Sequence, residues 1–272
     1  KMLCRQESPV LHFSPKESSE GRGLLDSLGL GRDEYVCMAN RDSRYTDEMY
    51  PDRDMSYHNF RNGLIGDYGT SARALSDRGL GVVRVGSNMK EQLDTNCPGV
   101  VDYAFHPAKS DFGEIYLMAH CRFAIFPESG ICVVPELYQR PVVYTNYPSF
   151  FFPSWWSLKG LMVFKKFRCL NSGNRLPYQK VMTDFPVMEL LSSGRWERAG
   201  LGLIDNSPEE LRDAALEMDD RLTGCWEECE EDRRLQEKYW KMFRCHQYRL
   251  LPPELNRHQE SKKRSVRHLA EM

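Results

Sequence analysis

Short apolar runs alternate with amphipathic stretches between Tyr35 and Asn146. The runs are YVCMA at 35–39, GVVRVG at 81–86, VVDYAF just before His106, RFAIF at 122–126 and PVVYTN at 141–146. Between them, Asn62–Gly79 places Leu64, Ile65, Tyr68, Ala72 and Leu75 on one helical face. Ser110–Cys121 does the same with Phe112, Ile115, Tyr116 and Ala119. Apolar strands joined by such helices predict βαβ units and a parallel sheet, each crossover right-handed. The expected fold class is therefore α/β, a Rossmann-like parallel sheet with helices on both faces.

The flanks read differently. Residues 1–33 are rich in Gly, Ser and Pro, with one amphipathic piece near Leu24–Leu30, and are expected to be a lead-in or linker before the core of 34–150. Residues 147–200 lack a clear period and contain the aromatic cluster from Phe150 to Trp156, read as a packed connection or as an acceptor or membrane-contact surface. Gly202–Asp205 is a last strand candidate. Ser207-Pro208-Glu209-Glu210 then has the form of a capping box with Pro at the first helical position. The helix it opens should bury Leu211, Ala214, Ala215, Met218 and Leu222 and stop at Gly224. A second, charged helix is expected from about Glu230 to Cys245, so that 151–250 forms an irregular connection plus closing helices. Residues 251–272 read as a loose basic tail.

Composition narrows the function classes modestly. A formal net charge of −2 offers no global case for nucleic acid as a partner. The nine cysteines are odd in number and scattered, several inside apolar runs, which fits free buried thiols in a reducing, cytoplasmic setting. Cys225, Cys229, Cys245 and His246 are a competing zinc arrangement whose spacing matches no standard finger or ribbon. No signal peptide is visible, and the apolar window around 142–164 is broken by Pro148, Pro153 and Lys159, against a membrane span. Peripheral membrane contact stays open. The chain begins at Lys1, which is compatible with a fragment of a longer polypeptide whose N-terminal domain is missing.

The candidate chemistry gathers after the strands. The 23 residues from Asn40 to Asn62 follow the first strand and carry four arginines, a histidine and three tyrosines. A connection this long and polar suits recognition of an anionic ligand, at the strand edge where ligands bind in α/β sheets. If the strands are parallel, Arg41-Asp42, Gly86-Ser87-Asn88, His106, Pro127-Glu128-Ser129-Gly130 and Asn146 all reach one rim. That set resembles a phosphate site, with arginine charge and the amides of a Ser-Gly turn. Each residue also has a structural alternative. Arg41 can pair with Asp42 or Glu48, Arg61 can cap the loop, and Ser129-Gly130 can be a plain strand-to-helix turn. Pro135 either kinks a helix starting at Ser129 or occupies the first turn of one starting near Val134. His58 and His106 are the histidines near the rim. Asp52-Arg53-Asp54 has the form of a metal-diphosphate motif but lies mid-loop, and Glu128 and Glu136 are eight residues apart, as in many retaining glycosyltransferases. Gly79-Leu80-Gly81 precedes its strand and is no dinucleotide fingerprint, and no Walker-type sequence is present.

These pieces together resemble a bacterial family of glycosyltransferases found among surface-polysaccharide genes. The resemblance rests on Arg41 to Tyr45, His58-Asn59-Phe60-Arg61-Asn62, Gly79 to Gly86, Asp102-Tyr103-Ala104, Phe126 to Gly130, Pro141 to Asn146, Asn206 to Glu210 and Asp232 to Trp240, spanning about residues 22–245. It implies the donor-binding, C-terminal half of a GT-B enzyme, with C-terminal helices and a facing Rossmann-like domain. A fainter likeness to the fucosyltransferase motif HVRRTD carries over Arg41 alone, since Ala39 and Asp42 replace the histidine and second arginine. The implied reaction is metal-independent and needs no cofactor beyond the nucleotide-diphosphate sugar, whose sugar passes to a glycan acceptor. Arg41, Glu128 and His58 are the catalytic candidates. Arg41, Arg61, Asn62, Gly86, Ser87, His106, Ser129 and Gly130 are the donor-binding candidates. A nucleotide-sugar epimerase of similar architecture and a non-catalytic nucleotide-sugar-binding module are the alternatives.

Overall fold

The computed structural model describes residues 9, 11–32, 34–94, 96–148, 160–184 and 193–250, with the side chains of 193–194 and 243–250 left aside. The elements, in chain order, begin with helix α1 (Pro15–Ser27), strand β1 (Tyr35–Met38), α2 (Arg44–Met49), α3 (Gly69–Asp77), β2 (Gly81–Arg84) and β3 (Val100–Asp102). They continue with α4 (Asp111–His120), β4 (Phe123–Pro127), α5 (Val133–Leu137), β5 (Val142–Tyr147), β6 (Leu161–Phe164), β7 (Lys166–Cys169) and β8 (Arg175–Leu176). The last are α6 (Tyr178–Asp184), α7 (Ser193–Arg198), β9 (Leu201–Ile204), α8 (Pro208–Thr223) and α9 (Glu230–Leu250). Two compact units form: Lys1–Tyr178 with Pro186–Trp226, and Gln179–Phe185 with Glu227–Met272.

Six strands make one sheet in the order β3-β2-β1-β4-β5-β6, every pair parallel. This order defines the doubly wound Rossmann-like architecture, with the strand order reversing between β1 and β4. Alternation along β1 separates two cores. Val36 and Met38 join Ile65, Tyr68, Ala72 and Leu75 of the α3 region and Leu211, Ala214, Ala215 and Met218 of α8. Tyr35, Cys37 and Ala39 face the other way, among Leu25 of α1 and Tyr116, Leu117 and Met118 of α4. Helices therefore cover both faces, as the strand pattern implied.

Several expectations shift. The lead-in contains α1, opened by Ser14 and Glu17 in a complete capping box and seated against α4. The strand before His106 ends at Asp102 and turns into the 3-10 segment Tyr103–Phe105, because β3 is an edge strand with a single neighbour to hold it extended. Leu64 is exposed ahead of its helix, Ile115 turns outward, and Leu222 is exposed in the last turn of α8. The supposedly irregular connection supplies β6 to the main sheet, and β7 pairs antiparallel with β8 and β9 in a small second sheet. The capping box at Ser207 and the left-handed Gly224 bound α8 as read from sequence. Pro135 lies in the first turn of α5, where its missing N–H costs nothing. Cys37 and Cys121 are buried free thiols, and burial pushes the Cys37 thiol up, whereas Cys225 and Cys229 are exposed. The aromatic cluster 150–156, the tail after 250 and the side chains of Cys245 and His246 lie outside the described residues.

The edge of the sheet at the strands' starts is tied by charge. Asp219 of α8, 6% exposed, accepts from Arg78 Nη1 at 2.9 Å and from Arg122 Nε at 2.9 Å. One carboxylate thus links the end of α3, the entry to β4 and α8.

Gly21 of α1 provides a test of packing. A Cβ at this position falls in steric overlap with three atoms of the Tyr116 ring. On a free helix Gly21→Ala would stabilise by roughly 0.5–1 kcal/mol. Seated on α4 it is expected to destabilise the protein by about 1–3 kcal/mol, measured by urea unfolding.

Candidate functional site

Adjacent parallel strands whose connections leave in opposite directions open a crevice at their carboxyl ends. Here those strands are β1 and β4, and the Ala39 N–H to Ile125 carbonyl bond (3.1 Å) extends their pairing past β1. Arg41 stands two residues further on. The long connection that follows is an ordered loop containing α2 and the 3-10 segment Ser56–Arg61. Its ends meet: Gly63 N–H donates to Arg41 O at 3.0 Å, and Asn40 Nδ2 donates to Gly63 O at 3.1 Å.

That closure brings the loop's cations together. Arg41 Nη1 donates to His58 O at 3.2 Å and to the side-chain oxygen of Asn62 in a short contact. Arg61 Nη2 donates to His58 Nδ1 at 2.6 Å. A guanidinium cannot accept, so Nδ1 holds a lone pair and the neutral ring carries its proton on Nε2. Burial lowers the Arg41 pKa, and the Arg61 charge lowers it further, against partial relief from Asp42, Glu128 and Asp47. Arg61 Nε is buried without a hydrogen bond. Two guanidinium groups held close with a donor unspent form a pocket of positive potential that a dianion would relieve. Glu48, one partner proposed for Arg41, pairs with Arg44 at 2.7 Å, while Asp42 accepts from the amides of Arg44 and Lys90.

Glu128, in the turn after β4, is near enough for its charge to act on Arg41. Ser129 is extended, its Oγ donates to Pro127 O at 3.2 Å, and the 3-10 segment Gly130–Cys132 leads into α5. The Gly130 backbone needs no glycine, and a Cβ there would meet open space. Glu136 accepts from the Tyr144 hydroxyl, and the charges of Glu136 and Glu128 both act on the Cys132 thiol between them.

Gly86 and Ser87 follow β2, and His106 follows β3. Gly86 N–H donates to Glu114 Oε1 at 2.8 Å and Ser87 Oγ to Glu114 Oε2 at 3.3 Å, so a buried carboxylate of α4 occupies the donors that sequence offered to phosphate. Lys109 completes that knot, 3.2 Å from Ser87 Oγ. His106 follows edge strand β3, its Nδ1 accepting from Ala108 N–H at 3.1 Å. Asp54 of the mid-loop acidic pair accepts from Ser56 N–H at 2.9 Å. Among the described residues no group of His, Cys, Asp and Glu is arranged to hold a metal.

Two neighbours, Lys165 and Asn206, were not among the rim residues read from the sequence. Lys165, 3% exposed, donates from Nζ to Asn62 O and to Asp205 Oδ1, each at 2.7 Å, and burial lowers its pKa. It sits between β6 and β7, where no period marks it. Asn146, with φ of 49°, exchanges backbone and side-chain bonds with Asn206 at 2.6 and 2.7 Å. The polar Asp205-Asn206 after β9 was the legible signal there, as after the other strands.

No family model and no curated protein matches this chain. Among solved structures, it is similar to a glycosyl transferase of family 9 from Veillonella parvula DSM 2008, with a TM-score of 0.41 and 14% identity over 57% of this chain. The match spans 42% of that protein's length, less than half. No helix among the described residues is long and apolar enough to cross a membrane.

The His58 environment has a pH signature. Burial, then the charges of Arg61 and Arg41, hold its pKa below the ordinary 6.5. The unfolded chain therefore binds the proton first on acidification. Stability contributed by the neutral ring is complete above pH 6.5 and falls as pH drops from there to the folded pKa. Unfolding of wild type and His58→Gln, compared across this range, should show a shallower acid decline in the variant.

Proposed function

We propose that the chain is the donor-binding half of a GT-B glycosyltransferase that passes a sugar from a nucleotide-diphosphate donor to a glycan acceptor. The observation that carries this reading is the Arg41–Arg61 pair after β1, with Arg41 within reach of the Glu128 charge after β4, where the strand order reverses. In sugar transfer the departing diphosphate gathers negative charge, and preset donors at that position lower the barrier most. Arg41 takes that role, with Arg61 beside it and the amides of the Ser129-Gly130 turn as further donors. The reading assigns the charge to guanidinium groups rather than to a divalent metal. Glu128 orients the donor sugar or ribose, and the Nε2–H of neutral His58 offers one more donor to the ligand. The facing domain of such an enzyme supplies the acceptor surface, and the site is cytoplasmic, where nucleotide sugars are held.

Thermal shift with a panel of nucleotide diphosphates and nucleotide sugars is the direct check. Ligand at ~100 times its dissociation constant stabilises by about 2.7 kcal/mol. Arg41→Ala should weaken nucleotide-diphosphate binding about 10- to 100-fold, the value of one charged hydrogen-bonding group. Unchanged affinity removes Arg41 from the mechanism, and no shift with any member of the panel ends the reading. Incubation with UDP-N-acetylglucosamine separates the rivals: a new epimer marks an epimerase, whereas slow hydrolysis or a stable donor fits transfer.

A further inference from the structure

Arg84 of β2 is fully buried. Its Nη1 donates to Asp102 of β3 at 3.0 and 3.3 Å, and its Nη2 to Asn40 Oδ1 and Glu91 O, both at 3.2 Å. Asp102 also accepts from Leu93 N–H at 2.7 Å. A guanidinium with no solvent to offset its charge demands these acceptors and holds them in place. The Asn40 amide is consequently fixed in one orientation, oxygen toward Arg84 and Nδ2 toward Gly63 O at 3.1 Å. Gly63 in turn donates to Arg41 O. The loop bearing Arg41, His58, Arg61 and Asn62 thus opens at Arg41 and closes at Gly63 across one amide.

We propose that Asn40 is a positioning residue: oriented by the Arg84–Asp102 pair, it clamps the two ends of the 41–62 loop and so presets the anion site. The idea rests on the functional reading only for what the site binds. The clamp itself is a property of the loop. Asn40 never touches the ligand and acts through Arg41 and Asn62. Asp at this position keeps the acceptor for Arg84 but replaces the donor to Gly63 O with a repelling oxygen. Ala removes both bonds and adds no charge.

The test combines amide hydrogen exchange with calorimetric titration of inorganic pyrophosphate for wild type, Asn40→Asp and Asn40→Ala. Both variants should exchange amides of 41–63 roughly tenfold faster, with β4 and β5 amides unchanged, and bind pyrophosphate about tenfold more weakly. Exchange unchanged in the loop overturns the clamp. Acceleration throughout β4 and β5 as well also overturns it, making Asn40 a general support of the fold. Weaker binding confined to Asn40→Asp identifies charge repulsion instead and overturns it too. If wild type itself fails to bind pyrophosphate, the anion-site reading falls, and loop exchange alone still decides the clamp.

Discussion

The parallel pairing of β1 with β4 is the constraint from which the rest follows. Val36, Cys37 and Met38 lie in register with Phe123, Ala124 and Ile125, yet more than eighty residues separate the two strands in sequence. One strand sends its chain toward β2 and the other toward β5. No connection then covers the gap between them at the carboxyl edge, and whatever follows each strand must flank the same crevice. The charge of Glu128 reaches Arg41 for this reason. Their proximity is a matter of topology before it is one of chemistry.

Charge is distributed unevenly around that crevice. Arg41 and Arg61 stand close enough to depress the Arg41 pKa, and Lys165 adds a buried ammonium behind Asn62. Gathering cations opposes folding unless carboxylates or a bound anion offset them. Asp205 does so for Lys165, and Glu114 ties up Gly86, Ser87 and Lys109 in a separate neutralised knot. At the arginine pair Asp42, Glu128 and Asp47 offset the charge of Arg41 in part, and Arg61 Nε keeps an unspent donor.

The sheet was readable because its strands are buried on both faces and so appear as near-continuous apolar runs such as YVCMA and RFAIF. Ser207 and Gly224 were readable because helix ends have local chemistry of their own. Within the site, Arg41, His58, Arg61 and Asn62 lie within one loop, and sequence proximity reported their grouping. The partner of Gly86 and Ser87 was not legible for the opposite reason. Their occupant, Glu114, arrives from α4, nearly thirty residues downstream, and looks in sequence like an ordinary first-turn acid. Lys165 was hidden in the same way, inside FKKF, where alternation cannot tell an ammonium in solvent from one facing inward. Strand β6 escaped because a short strand of intermediate burial leaves little pattern. Buried polar groups are chosen by partners far along the chain, and local pattern cannot name them.

The Asp219 link to Arg78 and Arg122 stands at the rim remote from the ligand crevice. Salt would therefore act on this protein through two independent sets of ions. At the base it loosens a fastening among three elements, and at the mouth it competes with the incoming anion. Cohesion of the domain and capture of its ligand can thus respond to ionic strength separately, so that either can change across homologous chains while the other stays constant.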